Sequence, residues 1–175
     1  GDNVEVIESP MLATQFLQPS LLERPWSSVI FTSATAVTAA ALLGDPAQAL
    51  PRKAYCVGDR TAAAATAMGF SAVSANGNAD RLCEVIEDGG ETGPLLHLRG
   101  RDAIGSLAER LGLAGIETHE AIIYAELPQP LSTKARAILQ TDHPVILPVF
   151  SPRTGRILAQ ELKDITGLAP LLTVA

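Results

Sequence analysis

A short apolar run, a small-residue turn and a helix-forming stretch recur in that order, and this repeat most narrows what the chain can fold into. Ser28-Val29-Ile30-Phe31 is β-branched and apolar and leads through Thr32-Ser33-Ala34-Thr35 into an Ala/Leu-rich helix reaching about Leu43. Ala54-Tyr55-Cys56-Val57 comes next, then Gly58-Asp59-Arg60-Thr61 and an alanine helix closed by Gly69. Ser71-Ala72-Val73-Ser74 precedes a helix over 79–87. Leu95-Leu96-His97-Leu98 turns through Arg99-Gly100-Arg101 into a helix over 104–111, starting at Ile104, and 117–123 form a fifth strand. Strands alternating with helices imply parallel strands joined by crossovers. Five such units predict a complete doubly wound domain over 11–123. The order 2-1-3-4-5 is expected by analogy with other five-stranded open sheets.

The remainder does not extend that sheet. Pro128 and Pro130 favour an extended connector over 124–131. A helix over 132–139, a strand at 145–149, a turn at Phe150-Ser151-Pro152, a helix over 153–162 and a last strand at 171–174 make part of a second α/β domain. The opening residues 1–10 are read as a linker strand, with 4–8 lying beside the connector at 122–127. The fold class expected is therefore α/β: two three-layer α/β/α domains with parallel sheets, joined by a two-stranded linker, the second incomplete. Gly1 at one end and a strand at the other suggest a piece of something longer.

Composition excludes several functions. A net charge of −6 without a Lys/Arg run argues against nucleic acid, and aromatic residues at 4% leave few stacking platforms. Cys56 and Cys83 form no CxxC pair and read as reduced thiols. The most apolar stretch, 29–43, is interrupted by hydroxyls and is too short to span a bilayer. With no basic-then-apolar leader, a cytoplasmic monomer without membrane partner is expected. No phosphate-binding or dinucleotide-binding glycine motif occurs, and His97, His119 and His143 are dispersed, so no metal or cofactor is expected.

The strand ends instead carry hydroxyls, glycines and arginines. Phe31-Thr32-Ser33 and Phe150-Ser151-Pro152 are near copies, each an apolar strand, an aromatic, a hydroxyl and a helix start. Helix capping explains part of this, and Thr35, Asp102 and Ser132 are read as caps alone. In open α/β sheets, however, ligands bind at the carboxyl ends of strands, and helix N-termini favour anions. Arg60, Arg99, Arg101, Arg153 and Arg156 gather at such ends. An acidic chain with its arginines placed there reads as binding a polyanionic small molecule. Arg99 leads this set, beside Gly100, where a ligand could approach the backbone.

Five segments then resemble one family. Val29-Ile30-Phe31-Thr32-Ser33 with Ala36-Val37, Val57-Gly58-Asp59-Arg60-Thr61-Ala62 with Gly69, and Leu98-Arg99-Gly100 with Leu107, Leu111 and Gly115 occur in the order of uroporphyrinogen-III synthase motifs. Ile123-Tyr124 is similar to that family's connector, and Phe150-Ser151-Pro152 to its second strand-end motif. The resemblance implies a cyclising hydro-lyase that closes linear hydroxymethylbilane to uroporphyrinogen III with inversion of ring D, without cofactor or metal. Its substrate bears carboxylates that Thr32, Ser33, Gly58, Arg60, Thr61, Arg99, Gly100, Arg101, Ser151 and Arg153 would grip. Tyr124 would assist departure of the hydroxyl, because an ordinary phenol keeps its proton at neutral pH. The other reading is a non-catalytic two-lobed module holding a small polyanion between its domains.

Overall fold

The computed structural model describes residues 4–21, 24–43, 50–103 and 105–174. In chain order the elements are β1 (Leu12–Phe16), β2 (Ser28–Phe31), α1 (Ala34–Ala41), β3 (Lys53–Cys56), α2 (Asp59–Ala67), β4 (Ser71–Ser74) and α3 (Ala79–Asp88). They continue with β5 (Leu95–Gly100), α4 (Leu107–Leu113), β6 (Thr118–Pro128), α5 (Thr133–Ile138), β7 (Val145–Pro148), α6 (Pro152–Lys163) and β8 (Leu171–Val174). The chain divides into two compact units, 14–126 and a smaller one made of 1–13 with 127–175. It passes between them twice, inside β1 and inside β6.

The larger unit is a three-layer sandwich on a six-stranded sheet of order β1-β6-β5-β2-β3-β4. β2 to β6 are parallel. Each residue of β2 is buried, because helices cover both faces of its sheet. Val29 and Phe31 point into a cluster with Ala36, Val37 and Ala65 of α1 and α2, while Ile30 joins Leu82, Ile86 and Leu111 of α3 and α4 on the other face. Alanines let α1 and α2 lie close to the sheet, and the Phe31 and Phe70 rings meet edge-on at 5.3 Å between centroids.

The five parallel strands run 3-2-1-4-5 in their own order, not the 2-1-3-4-5 anticipated. Burial supplies the reason. β3 is almost wholly buried and lies inside the sheet, whereas Ser71–Ser74 alternates exposed and half-buried residues as a one-sided edge strand does. The order reverses between β2 and β5, and in open sheets of this kind ligands favour the carboxyl ends of the strands at that point.

Residues 4–8, expected as the linker strand, are not a strand. Pro10 cannot donate to a ladder, and Val4 and Val6 are exposed while Ile7 packs into the small unit. The strand forms beyond it, as β1. The Leu17 N–H bonds to the Ile123 carbonyl and the Gln129 N–H to the Met11 carbonyl, both at 2.9 Å, so β1 and β6 run antiparallel. β6 is one continuous strand that merges the expected fifth strand with the return connector.

In the smaller unit β7 and β8 pair in parallel, and Leu131, Ala135, Leu139 and Ile165 form the core. Ser132 caps α5 as expected, accepting the Ala135 N–H at 3.2 Å. Thr35 lies inside α1, whose cap is Ser33, and the cap position of α4 is Ser106 rather than Asp102. Ile104, the expected start of that helix, lies outside the described residues.

Candidate functional site

At the carboxyl end of β2 the chain turns extended at Ser33 and enters α1. Ser33 Oγ accepts the Ala36 N–H at 3.1 Å and lies 2.9 Å from the Tyr124 phenol oxygen. β6 delivers Tyr124 to this point because a register shift at Arg99/Gly100 places it opposite Gly100. A Cβ on Gly100 would sit 2.5 Å from the Tyr124 Cζ, so glycine is required there to seat the ring. This revises the expected role of Gly100: the phenol, not a ligand, occupies its open side.

Beside that pair runs a polar chain that sequence reasoning missed. Thr32 Oγ1 lies 3.2 Å from His97 Nε2, and His97 Nδ1 lies 3.2 Å from Glu120 Oε1. One terminal guanidinium nitrogen of Arg99 bridges both Glu120 oxygens at 2.8 and 2.7 Å, and the other terminal nitrogen donates to the Ala103 carbonyl. Arg99 is therefore folded onto β6 rather than presented to a ligand, a second revision. The strand pleat explains it, since His97 and Arg99 share one face of β5 and His97 stands directly opposite Glu120. His97 is 3% exposed, and burial, offset by Glu120 and reinforced by Arg99, lowers its pKa to about 4. The imidazole is thus neutral at pH 7, and its contact with Glu120 is a hydrogen bond rather than an ion pair. Alternation of polar and apolar residues in Leu96-His97-Leu98-Arg99 was the available signal, but its partner on β6 is set by register.

The remaining predicted residues divide by location. Gly58 starts α2 with no side-chain cap, and a Cβ there would meet nothing within 4 Å. Thr61 is buried in the first turn of α2. Arg60 and Arg101 are exposed, and their side chains make no hydrogen bond or ion pair among the described residues. Ser151 and Arg153 belong to the smaller unit, where Ser151 caps α6 through the Thr154 N–H at 3.1 Å and Arg153 lies in the first turn. Among the described residues no group of three His, Cys, Asp or Glu could hold a metal ion, and no helix is long and apolar enough to cross a membrane. Cys56 and Cys83 are free and buried, and burial pushes the Cys56 thiol up to about 11.

Comparison with known proteins bears on the fold and on the family. The crystal structure of uroporphyrinogen-III synthetase from Helicobacter pylori superposes with a TM-score of 0.67 at 20% identity, covering 93% of this chain and 74% of that one. A mutant uroporphyrinogen III synthase from Thermus thermophilus gives 0.54 at 15% identity, covering 95% and 74%. Both likenesses are of fold. A search of curated protein sequences found no match. The family model for uroporphyrinogen-III synthase HemD matches residues 2–175, and the chain belongs to that family.

Proposed function

We propose that this chain closes hydroxymethylbilane to uroporphyrinogen III as a cyclising hydro-lyase, with Tyr124 donating a proton to the departing hydroxyl. The observation that carries the assignment is the 2.9 Å contact between Ser33 Oγ and the Tyr124 oxygen at the switch point of the sheet. Ser33 already accepts from Ala36, and giving its own hydrogen to Tyr124 leaves the phenol hydrogen free for the leaving group. Loss of the hydroxyl as water leaves an electrophilic methylene, and ring D bonds to it through the carbon that carries its existing bridge. That bridge breaks and re-forms at the opposite ring D carbon, and the proton lost there restores the pyrrole. The folded pose of the substrate selects the attacking carbon.

Arg60 and Arg101, exposed and without a side-chain partner among the described residues, are proposed to meet substrate carboxylates, with Gly58 and Thr61 presenting the uncapped start of α2. Ser151 and Arg153, at the start of α6 in the smaller unit, are proposed as carboxylate-binding residues in their own right. Arg99 supports the site through Glu120. The free Cys56 and Cys83 and the net charge of −6 support a monomer working on a small molecule in a reducing cytoplasm, without nucleic acid. A merely binding module would need no proton donor, and family membership favours the enzyme.

Product analysis with hydroxymethylbilane tests this reading. Tyr124→Phe is expected to slow turnover by roughly 10- to 100-fold, the low end of general-acid effects, while type III remains the main isomer. Unchanged turnover would reduce Tyr124 to a packed linker aromatic.

A further inference from the structure

We infer that His97, held by Glu120 and Arg99, fixes the Thr32 hydroxyl as a hydrogen-bond acceptor, so that Thr32 receives an N–H or O–H of the tetrapyrrole and not a carboxylate. The inference rests on reading the end of β2 as the substrate site, and it reverses the role expected of Thr32 from sequence.

Counting hydrogens fixes the direction of each bond. A carboxylate only accepts, and Glu120 takes the Arg99 guanidinium on one side. The 3.2 Å contact with His97 Nδ1 therefore requires the proton on Nδ1. A neutral imidazole with its proton there has only a lone pair on Nε2, and Thr32 lies 3.2 Å from it. Thr32 must donate its single hydrogen inward. Its oxygen then offers only lone pairs elsewhere, and a carboxylate facing them would be repelled. Burial of His97 maintains this polarity, because a charged imidazole would donate from both nitrogens and release the Thr32 hydrogen outward. Bilane pyrroles carry N–H groups and the leaving group carries O–H, so the substrate has donors to match. His97 is a positioning residue: it acts on substrate through Thr32.

The test is steady-state turnover of hydroxymethylbilane by the enzyme, with folding followed by circular dichroism. Thr32→Val is expected to lower kcat/KM by about 10-fold, one hydrogen bond. The penalty should be equal at about 0.05 and 0.5 M salt, because a neutral donor is not screened. His97→Leu should lose roughly 3- to 10-fold, and the Thr32→Val/His97→Leu double variant no more than Thr32→Val alone. His97→Gln, whose amide oxygen can still accept from Thr32, should recover most of the activity, and it decides the matter should His97→Leu not fold. Additive losses, or a Thr32→Val penalty that shrinks in high salt, would overturn the inference. No penalty from Thr32→Val while Tyr124→Phe is impaired overturns this inference alone; no penalty from either overturns the proposed function with it.

Discussion

Ser33 and Ser151 begin helices in nearly the same backbone shape, the first at φ −152°, ψ 151° and the second at φ −151°, ψ 147°. Ser33 comes two residues after Phe31, the last of β2, and Ser151 directly after Phe150, just past β7; each accepts the N–H three residues on at 3.1 Å. Their surroundings differ. Phe31 is sealed beneath α1 and α2, whereas Phe150 is 92% exposed. Ser33 meets Tyr124, which is 91 residues away in sequence, whereas Ser151 meets Thr154 of its own helix. The motif by itself specifies a capped helix. In the larger unit the sheet also brings a distant phenol to the cap, and it is there that we propose the chemistry.

The difference in burial predicts the largest effect. Phe31→Ala should destabilise the larger unit by about 3–5 kcal/mol, the cost of emptying a packed aromatic site, while Phe150→Ala changes stability within about 0.5 kcal/mol. Denaturant titration of both variants measures the gap, and similar midpoints would remove the contrast on which the comparison stands.

A smaller effect belongs to the larger unit through His97. Its pKa is lowered from 6.5 to about 4 on folding, so below pH 6.5 the unfolded chain takes up the proton first. Stability is therefore lost as pH falls from about 6.5 to 4, by on the order of 3 kcal/mol, and little more below that. Subtracting the same titration of His97→Gln isolates the contribution of this imidazole. No difference between the two curves would mean that His97 is not held neutral.

Much of this was legible in the residues. Each run from Ser28 to Val174 that read as a strand is one: β2 and β3 carry the apolar signature of burial on both faces, while Ser71–Ser74 and β7 show the alternation of half-exposed strands. The family resemblance rested on strand-end motifs, of which the fold places Thr32-Ser33 and Arg99-Gly100 at the switch point, Gly58 beyond β3 and Ser151 in the smaller unit. Sheet order was less accessible, although the polar Ser71–Ser74 already marked an edge. The chain from Thr32 to Arg99 was not legible, since His97 and Glu120 meet only through the β5–β6 register. Arg99 misled for the same reason: local position put it at a strand end, and a cross-strand carboxylate took its charge.

The most direct test compares the two caps in one assay. Ser33→Ala and Ser151→Ala each remove one N-cap and should each cost about 1 kcal/mol of stability. With hydroxymethylbilane as substrate, Ser33→Ala is predicted to lower kcat, because the phenol of Tyr124 loses its partner, whereas Ser151→Ala raises KM and leaves kcat near that of the parent. An unchanged kcat in Ser33→Ala, or an equal fall in both variants, would contradict the claim that the chemistry sits at the Ser33–Tyr124 pair.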